Sequence, residues 1–453
     1  MTQVLDVSGL LAQISTLHAA RAVGRVVKVE AGVIHVSGLA RDARIGDVLR
    51  VRRREGPLLG GEVVQISGEH LVMLADDTQD GVALDDRVTL VDPTQIAPSN
   101  HWIGRIVDPQ GQPLDGRPLL RGAKARNLRS APPAAADRRP LGKRMSTGLA
   151  VMNTMLPIVR GQRLGLFAGS GVGKSSLLGQ LAQHMEADVV VIAMIGERGR
   201  ELRHFVEETL GPSGLARAVI VAATSDQSPL IRRRCAWAAM AVAEHFRDEG
   251  KSVLLLADSI TRFAEAHREV AVAAGEAPVL RGYPPSTSHQ IMSLCERAGP
   301  GMEGSGDITG IFSVLVAGSD MDEPVADILR GVLDGHVVLD RAIAERGRYP
   351  AIDVLRSVSR SLPAAASEKE NQILMQARKY LSVYDRNAMM IRAGLYSQGS
   401  DAEVDKAIQL WPELDAFLAK SEKSTPANSF TQLELVLRRA AVPVTQPKGG
   451  QLR

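Results

Sequence analysis

Aromatic side chains are scarce in this chain: 3 Trp, 5 Tyr and 7 Phe among 453 residues, with none of them in residues 1–95. Without exposed aromatics, a platform for stacking bases is hard to build. Charge of one sign is also lacking. Lys and Arg total 54 against 51 Asp and Glu, a net +3, which offers no electrostatic footprint for a nucleic acid. Cysteine is limited to Cys235 and Cys295, which form neither a CxxC nor a disulfide framework. Reduced, buried thiols of a cytosolic protein are expected. No apolar run reaches the roughly 18 residues of a membrane span. The N-terminus carries Asp6 and no basic stretch, unlike a secretory signal. A cytoplasmic protein is expected, brought to a membrane only peripherally.

What is present is a globular composition, 45% hydrophobic, long enough for two to four domains. Val4, Val7, Leu10, Leu11, Ile14 and Leu17 recur at helical spacing. Residues 1–21 therefore read as an amphipathic segment, packed on its own domain or docking a partner or a membrane surface. Over 22–95 the pattern turns to short β runs such as Val33–Val36 and Val63–Ile66, which read as a small β-barrel or sandwich, a barrel being the expectation. Residues 113–144 are rich in Pro and Arg, including Arg126, Arg129, Arg138, Arg139 and Arg144, and read as a solvated linker with little core of its own.

From Gly161 to Arg360 apolar strands alternate with helical stretches. The strand candidates are Leu164–Phe167, Val189–Met194, Ala218–Ala222, Val253–Ala257 and Phe312–Ala317. Runs aliphatic on both faces indicate a buried, mostly parallel, doubly wound sheet. The P-loop core with its linker is placed at 96–365, a helical domain at 366–442 and a disordered tail at 443–453.

The strand ending at Phe167 leads into Ala168-Gly169-Ser170-Gly171-Val172-Gly173-Lys174-Ser175, and Ser176 follows at the start of a helix. Glycines let backbone N–H groups turn onto a phosphate, and the helix N-terminus adds its positive end. Lys174 is expected on the β/γ oxygens and the Ser175 hydroxyl on Mg²⁺. The loop departs from the strict pattern at Ala168, where Gly is usual. Val253–Ala257 ends in Asp258, an acid at a strand's C-terminal end, where it can hold Mg²⁺ or one of its waters. Glu197 follows the strand Val189–Met194 and is either a water-polarising base or half of a surface ion pair.

The motifs, in this order, resemble the catalytic subunits of the rotary ATP synthase superfamily and, within it, the type III secretion and flagellar export ATPases. Carrying the likeness are Thr147-Gly148-Leu149, Gly161-Gln162-Arg163, Ile195 to Glu201, Asp258 to Arg262, Gly282 to Ser286, Asp334 to Leu339, and Pro350 to Asp353 with Ser357 to Ser359. The resemblance implies Glu197 as the base that activates water and Arg198 and Arg262 near the γ-phosphate. It also implies Tyr349 stacked on adenine and Arg360 as an arginine finger reaching a neighbouring subunit. Gly394 to Asp401 and Val404 to Ile408 resemble the export-ATPase C-terminal domain. Asp226 to Pro229 and Arg232 to Ala236 look more flagellar than injectisome.

The function implied is MgATP hydrolysis by a homohexamer that releases chaperone–substrate complexes and delivers flagellar proteins to an export gate. A negative regulator, a stalk-like coiled-coil protein and membrane proteins of the gate are the implied partners. The injectisome counterpart is the alternative; a Rho-like RNA translocase is a distant one, and a non-hydrolysing nucleotide-binding scaffold is a third class.

Overall fold

The computed structural model describes residues 20–439, except 31, 93, 280 and 317–322, together with the isolated position 14. Most of the amphipathic stripe at 1–21 and the tail at 443–453 lie outside these residues.

Six strands, Val23–Glu30, Val33–Ser37, Val48–Arg52, Leu59–Ser67, His70–Ala75 and Arg87–Val91, close into a barrel. Alternate residues such as Val26, Ile34, Val36, Leu49, Val51 and Val63 are wholly buried inside it. Closure leaves no unpaired strand edge. The barrel's outer wall meets the core through Val64, Val72 and Leu74, which pack on Leu230 and Val270. Beside them lies a buried ion cluster. Glu62 takes hydrogen bonds from Arg233 (2.9 Å), Arg234 (3.3 Å) and Arg129 (2.7 Å), and Asp76 takes one from Arg234 (2.8 Å).

The core is one sheet in the order Ile352–Ser359, Gly335–Leu339, Arg163–Ala168, Asp307–Leu315, Ser252–Asp258, Val189–Glu197, Ala218–Thr224 and Arg105–Val107. In this order every pair is parallel except the first, where Ile352–Ser359 runs antiparallel at the edge, and the short Gly299–Pro300 adds an antiparallel pair to Asp307–Leu315. Four expected strands are present near their expected bounds; the fifth, expected at Phe312–Ala317, runs from Asp307 to Leu315 instead, and Ala317 lies outside the described residues. The other three members were not anticipated, because Arg105–Val107 is short and the last two belong to segments quoted only as motifs. The alanine-rich helix Pro229–Asp248 is buried on nearly every side; its short side chains allow close approach to the sheet. Both cysteines are buried and unpaired, and burial pushes both thiols far above their usual range.

The basic stretch before the core departs from expectation. Arg126 pairs with Asp248 at 2.7 Å, Arg139 with Asp307 at 2.6 Å and Arg144 with Glu370 at 2.9 Å. Arg138 donates to the carbonyls of Pro133, Ala298 and Glu296. The segment is a clasp across the core, held by guanidinium forks that sequence composition cannot distinguish from solvated charge. The C-terminal region holds three helices, Glu368–Arg392, Ala402–Leu418 and Pro426–Arg439. The first opens on a capping box between Ser367 and Glu370.

Candidate active site

The strand Arg163–Ala168 occupies the middle of the sheet, so its C-terminal end opens where the strand ends gather. Ala168 is its last residue, fully buried and in register with Leu315 on one side and Leu339 on the other. Its methyl group therefore points into the core and leaves the loop free. The loop turns through Gly171 (φ 75°) and Gly173 (φ 87°), left-handed positions that glycine adopts without strain. The helix Lys174–His184 starts on Gly173, whose missing side chain gives no cap. First-turn N–H groups remain for an anion.

Lys174 Nζ is ion-paired with Asp258 Oδ1, and Ser313 Oγ donates to the same oxygen at 2.7 Å. The Asp258 side chain is 3% exposed and that of Lys174 10%. Met194 is in register with Asp258 on the neighbouring strand. Just beyond it, Gly196 (φ 67°) breaks the register between Ile195 and Glu197 and brings Glu197 to the cleft wall. Burial, reinforced by the Asp258 charge and opposed by Lys174, pushes the Glu197 carboxyl up to about 7. The neighbouring Glu201 carboxylate adds to the rise at Glu197, while Glu201 itself, beside Glu197 and Arg198, is held below its ordinary value.

Arg198, mostly exposed, pairs with Glu201 at 3.0 Å. Arg262 pairs with Glu265 at 2.8 Å and lies beside Gly196. These side chains, with residues 169–176, line a cleft of about 1320 Å³. Tyr349 is half exposed, and a Cβ on Gly173 would sit 3.1 Å from its ring, so the ring flanks the phosphate loop. Arg360 is elsewhere. Its neighbour Ser359 is level with Gly335, whereas Ala168 is level with Leu339. Four residues of strand put about 13 Å between those levels, and Arg360 donates to the Arg330 carbonyl at 3.2 Å.

The cleft also takes Arg232, Arg268, Arg281, Tyr283 and Arg341 as lining, none of them assigned a role from the sequence. They come from separated segments, and no spacing announces their meeting. Ser313, the partner of Asp258, is a serine within an apolar strand and gave no signal either.

The donor set suits a hard cation: the Ser175 hydroxyl lies at the cleft and the Asp258 carboxylate behind it. Among the described residues no group of three or more His, Cys, Asp or Glu gathers to hold a metal.

A phosphate loop, a buried acid and a raised carboxyl thus meet at the C-terminal ends of interior strands of one sheet. Residues 148–359 match the model of the ATP synthase alpha/beta family, nucleotide-binding domain, and 366–434 that of the T3SS EscN ATPase C-terminal domain. The chain is 42% identical to the flagellum-specific ATP synthase of Caulobacter vibrioides over 438 residues, covering 95% of this chain and 99% of that one. The chain belongs to the flagellum-specific ATP synthase family. It is 40% identical to the member from Salmonella typhimurium, covering 94% of this chain and 96% of that one. The assembled ATPase EscN of the enteropathogenic E. coli type III secretion system superposes with a TM-score of 0.82 at 34% identity, covering 91% of this chain and all of that one. The chain is accordingly an ATP hydrolase with the family's barrel, nucleotide-binding and helical parts, and its work belongs to flagellar protein export. No helix among the described residues is long and apolar enough to cross a membrane.

Proposed function

We propose that ATP is bound and hydrolysed between residues 168–176 and Glu197, in a ring of identical subunits that supplies flagellar protein export. The observation that carries the reading is geometric: residues 169–176 and Glu197 line one cleft, with the Lys174–Asp258 pair at its base, and the Glu197 carboxyl there is pushed up to about 7. A base with a pKa near working pH can take a proton from water without being permanently protonated.

The N–H groups of residues 169–176 hold the phosphates, and Lys174 exchanges its Asp258 contact for the β/γ oxygens. Ser175 and Asp258 would hold Mg²⁺, which neutralises charge on the phosphates when bound. Arg198 and Arg262 lie where they can steady the γ-phosphate, and Tyr349 offers its face to the adenine. Arg360 sits too far along the sheet to serve its own cleft. A guanidinium there can complete a neighbour's site by stabilising charge on the transferring phosphoryl group. A homohexamer is the assembly of this reading. The related ATPase EscN has been solved in its assembled form in complex with its central stalk EscO. A stalk-like protein, a negative regulator, chaperone–substrate complexes and the membrane proteins of an export gate are the partners of this reading, with peripheral membrane placement.

Glu197→Gln tests the site. Turnover is expected to fall by about 10²–10⁴, the usual worth of a positioned base, with ATP binding largely retained. Undiminished hydrolysis would remove Glu197 from its role. Deleting the protein should abolish flagellar assembly and swimming; an unimpaired strain would favour the injectisome reading.

A further inference from the structure

The barrel carries a feature that the nucleotide chemistry does not use. A cavity of about 630 Å³ on its outer wall is lined by Arg21, Arg50, Arg52, Arg53, Arg54 and Arg87, with no carboxylate in its lining. Strand register explains the concentration. Arg87 faces Arg52 on one neighbouring strand and Arg25 on the other, so three guanidinium side chains form one row across three hydrogen-bonded strands. Like charges directly opposite one another on a sheet are destabilising. Elsewhere the arginines find partners: Glu62 receives three of them, and Glu244 takes both forks of Arg297. Among the described residues, Arg50, Arg52, Arg54 and Arg87 make no ion pair, and Arg53 donates only to the carbonyls of Pro57 and Asp80.

The shape narrows the ligand. A second cavity of about 580 Å³ shares Arg21, Arg50, Arg53, Pro57, Leu58 and Val91 with the first. The two make a furrow along the barrel, longer than a compact anion needs. No aromatic residue lines either cavity, which removes the stacking surface that single-stranded nucleic acid uses. A concave furrow also presents its charges poorly to a flat lipid surface. Leu58 is 55% exposed beside the arginines, so an apolar contact is offered along with the charged one. The closed barrel has no free strand edge, so recognition must come from side chains rather than strand addition.

We propose that this furrow is a docking site for an extended acidic segment of a partner protein, its carboxylates held by Arg50, Arg52 and Arg87, its apolar side chains on Leu58 and Pro57. Planar guanidinium forks bind carboxylates bidentately. The second cavity, where Asp76, Asp77 and Asp92 join the lining and Asp92 pairs with Arg21 at 3.7 Å, favours a segment that loses its negative charge in that direction.

The test uses the full chain and its Arg52→Gln/Arg87→Gln variant, with a fluorescein-labelled peptide of alternating glutamate and leucine read by anisotropy. The expected result is saturable, salt-sensitive binding that weakens about tenfold in the variant, with ATP turnover unchanged. Thermal melting keeps the outcome readable. The variant should melt no lower than the parent, because the substitutions remove like-charge contacts, and the peptide should raise the melting point of the parent alone. Equal binding by both proteins, or no more binding than an alternating lysine–leucine peptide shows, overturns the proposal. So does capture of anionic vesicles or single-stranded DNA that is lost in the variant and that the acidic peptide fails to compete away.

Discussion

Arg348 reaches across from the sheet to the C-terminal helices, where its guanidinium lies 3.2 Å from the Asp415 carboxylate. The same side chain donates to the carbonyls of Pro350 (3.0 Å) and Ile352 (2.9 Å). Tyr349 is therefore carried on a segment clamped on both sides. Arg346 strengthens the clamp, pairing with Asp415 at 3.3 Å and lying 5.0 Å over the Trp411 ring, which stacks on Tyr384.

Asp415→Ala should cost about 1–3 kcal/mol in urea unfolding, because it strands the buried Arg348 charge while Asp415 itself is partly solvated. If the clamp positions Tyr349 for the base, the KM for ATP rises more than kcat falls. A stability loss with an unchanged KM would make the clamp purely structural.

The Glu197 carboxyl sets a pH dependence with a definite sign. Its proton must leave before it can act as a base, and kcat/KM reports the free enzyme's groups. With the carboxyl pushed up to about 7, kcat/KM should climb as pH rises through that value and level off above it. Because the folded protein holds this proton more tightly than the unfolded chain, the group detracts from stability increasingly between pH 4.5 and about 7. Glu197→Gln should flatten that part of the stability profile; an unaltered profile would show that the carboxyl is not raised.

Arg360 and Glu197 make a complementation experiment possible. Arg360→Ala alone should lower kcat by about 10³ with little change in nucleotide affinity. Mixing it with Glu197→Gln should restore part of the activity, since some interfaces then pair an intact Glu197 with an intact Arg360. A mixture no more active than its components would place both residues in one subunit's site.

At the loop itself, two small substitutions should separate. Gly173→Ala forces a left-handed residue and brings a methyl group to 3.1 Å from the Tyr349 ring. About 1–2 kcal/mol of strain and weaker ATP binding are expected, measured by melting and by titration. Ala168→Gly should cost about 1 kcal/mol of stability while leaving ATP affinity intact, because that methyl group faces the core. Loss of affinity in Ala168→Gly would put residue 168 in the phosphate cradle itself.

The parts of the site legible in the sequence are those made by contiguous chain. Residues 163–178 specify strand, turn and helix through their own dihedral preferences, and Asp258 and Glu197 stand at strand ends that their aliphatic runs announce. The strands of residues 23–91 were legible for the same reason, as short local β runs, but their closure into a barrel was decided by pairing between them. What only the tertiary structure decided depends on register between distant segments. Lys174 meets an acid 84 positions away, and Ser313 joins them from the next strand. Strand register alone puts Arg360 at the far end from its own phosphate loop. The arginines of 113–144 and those of the barrel look alike in sequence, yet most of the first group are neutralised across the core and most of the second face one another without counter-ions. Composition counts charges; their meaning comes from which neighbours the closed sheet and barrel bring opposite them.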